Sequence, residues 1–461
     1  MNNENNLNHT NPINILSKFV VQTSYKDLSE EAIKSAKTFI LDSIGVGVAG
    51  SDGPWVENLI NVIKGWGLGG SSRTMVHGVS LPATSAAVIN AYQIHCLEYD
   101  CVNEAAVLHP MATIMGAVLA EIDSGSNFSG KDLITAVAVG VDSSSVLGLS
   151  SNSPMKFFRP STAGAFGATA AIAKLRKFDV NTLINAYGAT YGQISGTLQP
   201  HLEGSAVLGM QIGFCARGAL AACDLAQAGL EGPKDVISGM YGYLNLFEGD
   251  FDLGNHFENL GKIWQISKLS HKPFPSGRLT HGMVDGIQRL QKTKGLKHEN
   301  VSKVRCYVPP LAHRLTGRPD IESPEPNYAK LCIPFVAATA LIEGTVNVSH
   351  FKTEWLNNAL VHEIAKNIQS IETDEKDPNV MAPQFLEVDL KNGETYRVEI
   401  KSIYGHPDNP LSYQENIDKF LHAWSSSNKK LEKDKAFEVI SLIDNLESSS
   451  NINKIIDLLI A

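Results

Sequence analysis

The chain has 461 residues and is 43% apolar, too long for one ordinary core and rich enough in apolar side chains to build more than one. Its 39 Lys and Arg against 48 Asp and Glu leave a net charge of -9, which argues against general binding to nucleic acid or anionic membrane, since phosphate would be repelled. Six cysteines (Cys96, Cys101, Cys215, Cys223, Cys306, Cys332) make no C-x-x-C pair and read as reduced packing residues rather than a disulfide framework or zinc site.

No apolar run reaches the ~20 residues that span a bilayer, and the opening MNNENNLNHTN has neither a basic start nor an apolar core, so a cytoplasmic protein is expected. Residues 1–12 are polar and Asn-rich and read as a flexible tail. Asp27-Leu28-Ser29-Glu30-Glu31 then offers a Ser cap with acids in the first turn, ahead of Ile33, Ala36, Phe39, Ile40 and Ile44 at helical spacing. The pattern stays helical to about residue 265, and the Ala/Gly-rich stretches 163–173 and 216–229 suit helices whose axes approach closely. Gly65-Trp66-Gly67-Leu68-Gly69-Gly70 satisfies G-x-G-x-x-G, but no strand precedes it and no convincing helix follows, so dinucleotide binding lacks its context.

Near residue 270 the character changes. Val304, Cys306 and Val308 alternate with polar neighbours, and two alternating runs, 386–390 and 396–400, meet across Asn392-Gly393, a hairpin signal. Helices are expected over 278–292, 330–343 and 354–368. After Gly405-His406-Pro407-Asp408-Asn409-Pro410 helical patterns return. The fold class is therefore mainly α with an α+β second domain. A helical bundle domain is expected over 13–268 and 406–461, with an inserted α/β lid over 269–405.

Three clusters carry chemistry. His95-Cys96-Leu97-Glu98-Tyr99-Asp100, with His109-Pro110 beyond, gathers two acids and two imidazoles suited to general acid, general base or ligand roles. Glu98 and Asp100 stand two apart, so on one helix they would not share a face, and which of them enters a pocket stays open. Ser270 to His281 combines a rigid Pro/Gly loop with His271, Lys272, Arg278 and His281, cations for a carboxylate-rich ligand or, equally, an ion-paired hinge. Arg159, Ser161 and Thr162 precede a Gly/Ala-rich helix and offer either an anion site or ordinary capping.

These residues resemble the MmgE/PrpD family of 2-methylcitrate dehydratases, cis-aconitate decarboxylases and an iminodisuccinate epimerase. The likeness runs through Leu41-Asp42-Ser43-Ile44-Gly45, Ala49-Gly50-Ser51, the acidic 95–100 stretch with His109-Pro110, and Arg159-Pro160-Ser161-Thr162-Ala163-Gly164. It continues in Lys272-Pro273-Phe274-Pro275, Thr280-His281 and Gly405-His406-Pro407-Asp408-Asn409-Pro410. The resemblance implies a homodimer with an interdomain active site, no cofactor and no metal. It implies catalytic roles for His109, Lys272 and Asp100, with Glu98 standing where an Asp is usual. Arg159, Ser161, Thr162, Arg278, His281 and His95 are the expected substrate-binding set for a small polycarboxylate. Val102, Arg159, Leu208 and Phe335 depart from the usual Thr, His, Lys and Tyr. The favoured reaction at this level is dehydration of a hydroxy-polycarboxylate such as 2-methylcitrate; decarboxylation of a cis-aconitate-like acid, epimerisation of an imino- or amino-dicarboxylate, and non-catalytic carboxylate binding are its rivals.

Overall fold

A computed structural model describes residues 11–125, 127–429 and 431–461. The expected tail falls mostly on residues 1–10, outside the described residues, but its end is already ordered: Asn11 caps the helix Pro12–Gln22, its side chain accepting from the Ile13 N–H. Ser29 likewise caps Glu30–Ala49 by accepting from Ala32 N–H.

Two hydrophobic cores organise the chain. The first is mainly helical and takes side chains from both ends of the sequence, Ile13, Leu16 and Phe39 packing in one cluster with Phe420, Trp424, Val439 and Ile455. Its centre is made by the helices Ala83–His95, Pro110–Asp123, Gly130–Leu149, Arg159–Leu175 and Val207–Gln227. Small residues set their spacing: a Cβ added at Gly116 would lie 2.4 Å from that of Ala91, so Gly is required where Pro110–Asp123 crosses Ala83–His95. The helix Gly130–Leu149 corrects one expectation, because it is long and apolar enough to cross a membrane. Here 89% of its apolar window is buried in the fold, and Asp142 in its middle accepts from the Gln265 N–H.

The second core is α/β. A sheet ordered Ile368–Glu372, Val301–Val308, Gln384–Leu390, Thr395–Ile400 pairs its first two strands parallel and the rest antiparallel. Val304, Cys306 and Val308 supply its buried face, as their alternation predicts, against Met283, Val284 and Ile287 of the helix His281–Lys294. Gly393 takes φ 92° in the hairpin loop, the left-handed conformation for which Gly is suited. Element ends differ from the sequence reading. Residues 278–280 form a single 3-10 turn before His281, the helix expected from 330 starts at Ile333, and 354–368 splits into Thr353–Leu356 and Ala359–Ala365 with a strand from Ile368. The split has a local cause: Asn358 turns its side chain back to accept from Leu360 N–H and starts a new helix.

The G-x-G-x-x-G lies at the end of Val56–Trp66 and in the loop after it, with no strand entering it and no helix leaving it. All six cysteines are buried and free. The two cores interlock rather than merely abut: Leu331 packs in the helical cluster, whereas Val102, Val107 and Met155 pack in the α/β cluster. The residues of greatest chemical interest lie along that seam.

Candidate active site

The acidic cluster is positioned by a helix end. Ala83–His95 stops at Cys96, and two residues on Glu98 adopts φ 52°, unfavourable for a side chain with a Cβ unless its surroundings hold it. They do so through three buried ammonium groups. Lys330 donates to the Cys96 carbonyl at 2.8 Å, Lys272 to that of Glu98 at 3.2 Å, and Lys419 to that of Tyr99 at 3.1 Å. Cations at a helix C-terminus also meet the negative end of its dipole. Burial lowers the Lys330 ammonium to about 8 even so. Because the chain has left the helix, Glu98 and Asp100 are not bound by helical spacing, and both turn toward the same imidazole.

That imidazole is His95. Its Nδ1 lies 3.1 Å from each Asp100 oxygen and its Nε2 3.3 Å from Glu98 Oε1, the latter an ion contact without directed hydrogen-bond geometry. Lys272 Nζ sits 2.8 Å from Glu98 Oε2 and 4.0 Å from Asp100. Burial alone would discharge every member, but mutual attraction prevails. It holds Glu98 well below the carboxylate range, moves Asp100 down as well, and raises His95 to about 9. Two carboxylates thus face an imidazolium and an ammonium, and the cluster is neutral overall.

His109 completes it with a different character. Its Nδ1 lies 3.0 Å from the Cys101 carbonyl and 3.5 Å from Asp100, so Nδ1 carries the proton and Nε2 the lone pair. Burial first, and then the charge of Lys272, push its pKa below the ordinary 6.5. The ring is therefore neutral near pH 7. It borders a cavity of about 60 Å³ at the seam, together with Glu98, His201 and Arg278 and an apolar wall that includes Val102, Val107, Met155, Leu279, Leu315 and Met381. The cavity is narrow, with room for a few waters.

His95, Asp100 and His109 also present ligand-type atoms within 4.8 Å of one another, as a metal site would. Lys272, 4.0 Å from Asp100, already supplies a cation there, so these residues fit a divalent ion poorly.

The structure thus brings His95, Glu98, Asp100, His109 and Lys272 together, with Lys272 buried behind Glu98 rather than bordering the cavity. Of the expected substrate-binding set only His95 joins them, turned to Asp100 and Glu98 rather than to the cavity. Arg159 is 1% exposed and spent on Glu248 at 2.9 Å, the Ala106 carbonyl and Ser151 Oγ. Ser161 donates to the Phe158 and Ser195 carbonyls, and Thr162 Oγ1 pairs with Tyr243. Arg278 borders the cavity, yet its guanidinium is taken up by Glu104 and by the His271, Ile403 and Tyr404 carbonyls. His281 is fully buried against the Ser276 carbonyl. Leu208 and Phe335 are core residues. For Arg159, Thr162 and Arg278 the sequence shows a cation or hydroxyl but not the distant partner that claims it.

A structural role for Arg159 makes a prediction. Arg159→Met strands the buried Glu248 carboxylate and is expected to cost about 3–5 kcal/mol in urea unfolding, with KM of the folded enzyme unchanged. A raised KM at wild-type stability would return Arg159 to the binding set.

His201, Arg318 and Lys330 at this seam escaped the sequence reading. Gln199-Pro200-His201 has the look of a turn with a lone imidazole, and Tyr328-Ala329-Lys330 of a helix edge. Nothing local marks them.

A cleft between two interlocked cores, holding ionised carboxylates, a buried ammonium and an imidazole with a free nitrogen, is the equipment of an acid–base enzyme. The chain belongs to the MmgE/PrpD family, whose N-terminal domain matches residues 14–256 and whose C-terminal domain matches residues 274–444. Among curated proteins it is 24% identical to the cis-aconitate decarboxylase of Mus musculus over 91% of this chain and 87% of that one. The cis-aconitate decarboxylases of Aspergillus terreus (94% of this chain, 92% of that one) and Homo sapiens (94% and 91%) are each also 24% identical to it.

Proposed function

We propose that this protein is a lyase that decarboxylates a small unsaturated polycarboxylate of the cis-aconitate class, with His109 as the proton-transfer residue. The observation that carries the reading is His109 itself: Nδ1 is committed to the Cys101 carbonyl, which leaves Nε2 for chemistry at a cavity that Glu98 also borders. The apolar wall favours decarboxylation over dehydration. A carboxylate loses its charge on leaving as CO2, and an environment that solvates it poorly assists that step, whereas a departing hydroxide needs solvation or a proton. The decarboxylases among its relatives support the same choice.

The C–C bond to the leaving carboxylate breaks, CO2 departs, and the electron pair spreads into the remaining unsaturated carboxylate; a proton then closes the carbanion. Entry of a polyanion raises the pKa of the nearby imidazole, so His109 takes up that proton on Nε2 and delivers it to carbon. Lys272, behind Glu98, offsets that carboxylate's charge and so lessens its repulsion of the bound acid, acting through Glu98 rather than on the substrate. His95 keeps Asp100 ionised beside His109. Closure of the seam excludes water from the carbanion.

Dehydration of a 2-methylcitrate-like acid is the second reading, and the neutral lone pair on His109 favours it, since that reaction needs a base. The two readings differ in sign. Where His109 must donate, kcat/KM falls as pH rises through a pKa below 6.5; where it must accept, kcat/KM rises through the same value.

The functional test is incubation of the protein with cis-aconitate, 2-methylcitrate, citrate and iminodisuccinate in deuterated buffer, followed by proton NMR. Loss of CO2 with deuterium placed on carbon is the expected result. Loss of water would select the second reading, exchange with inversion would make the protein an epimerase, and silence on all four would remove the enzymatic reading.

A further inference from the structure

His201 stands on the short helix Gln199–Glu203, is only 7% exposed, and borders the same cavity as Glu98 and His109. Its Nδ1 lies 3.1 Å from Nη2 of Arg318, which also donates to the carbonyls of His201 at 3.0 Å and Leu315 at 2.9 Å. A guanidinium has donors only, so Nδ1 must accept, and the proton of the neutral ring sits on Nε2. Arg318 is held in place in turn, stacked 4.9 Å over the Tyr328 ring. Burial, reinforced by the guanidinium, lowers the His201 pKa to about 3 and keeps the ring uncharged at any working pH.

His109 has the opposite tautomer, because its Nδ1–H is spent on a carbonyl. Two neutral imidazoles therefore border one cavity, one presenting an acceptor and the other a donor, and neither Nε2 has a hydrogen-bond partner among the described residues. Sequence departures elsewhere give the donor a purpose. Arg159 is locked to Glu248 and Leu208 is apolar, so the cations and donors expected at those positions do not serve the cavity.

We propose that His201 is a substrate-contacting residue whose Nε2–H donates to a carboxylate oxygen of the bound acid, and that Arg318 is the positioning residue that fixes its tautomer. The inference rests on the reading of the ligand as a polycarboxylate, though not on which bond is broken. Since His201 belongs to the helical part and Arg318 to the segment beside Leu315 and Cys332 of the α/β core, the donor tautomer is set where the two parts close on each other.

The test uses the full-length protein labelled with 15N-histidine and tricarballylate, a saturated tricarboxylate with nothing to eliminate. The His201 ring, assigned by its loss in His201→Gln, is expected as the Nε2–H tautomer, and its Nε2–H signal is expected to shift on titration. In assays with a substrate, His201→Phe should raise KM about ten- to a hundredfold, as for a lost hydrogen bond to a charged group. His201→Gln, whose amide reaches where Nε2 stood, should recover most of the loss, which a merely structural role would not require. Arg318→Leu should give mixed tautomers and a raised KM, and Arg318→Lys should restore part of both. A shift with tricarballylate but no turnover of any acid sinks the enzymatic reading and leaves this inference standing. Turnover in which His201→Phe matches wild type, an Nδ1–H tautomer, or a signal that tricarballylate does not move overturns the inference and leaves the enzymatic reading intact.

Discussion

Replacing His109 by Gln is expected to lower kcat on the preferred acid by about 10²–10⁴-fold, the range general acid–base catalysis supplies, while the thermal midpoint stays near wild type. The expectation follows from how little of the fold depends on this ring. Among the described residues its only hydrogen bond is from Nδ1 to the Cys101 carbonyl at 3.0 Å, with Asp100 3.5 Å away, and its side chain is 14% exposed. Gln cannot shuttle a proton. Retained turnover in this variant, measured at several pH values, would remove His109 from the chemistry whatever the ligand.

Lys272→Met should be costly in a different way. Lys272 has no exposed surface, and it compensates Glu98 at 2.8 Å while holding that residue's carbonyl. Its removal leaves a buried carboxylate and a strained turn without their cation, for which about 3–5 kcal/mol of lost stability is the usual scale. Activity and stability are therefore expected to fall together. The paired variant Lys272→Met/Glu98→Gln removes both charges and should recover most of the stability while remaining inactive. Urea unfolding of the four proteins reads the coupling directly; a single variant as stable as wild type would contradict the ion pair.

The same cluster fixes the direction of pH effects on stability. Glu98 has a lowered folded pKa, so its stabilisation is present above its ordinary 4.5 and is lost as pH falls through the folded value. His95 works in the opposite sense: raised to about 9, it contributes fully below its ordinary 6.5, and the contribution fades as pH rises through about 9. Wild type should thus lose stability toward both extremes, and a His95→Gln variant should lose the alkaline dependence first.

Much of the architecture was readable from local chemistry. Ser29 signals a helix start because its hydroxyl answers an amide three residues away, and Asn392-Gly393 signals a hairpin because the turn needs a left-handed residue. The dense charges of 95–100 and Lys272 stood out from an apolar sequence for a comparable reason, since buried ions must find one another. What escaped was long-range. Lys330 reaches Cys96 across 234 residues and Lys419 reaches Tyr99 across 320, and without those contacts nothing in the sequence says that Glu98 and Asp100 leave the helix and converge. Arg159 reads locally as an anion receptor, because its partner Glu248 stands 89 residues downstream. His201 acquires its tautomer from Arg318, 117 residues away.

In the proposed reaction one imidazole, His109, neutral when the site is empty, carries the proton. Its most direct test is the pH dependence of kcat/KM for cis-aconitate in wild type and His109→Gln. Wild type is expected to show a limb that falls through an apparent pKa below 6.5 and is absent from the residual activity of the variant. A limb of the same shape in both proteins would assign the titration to another group and contradict the account.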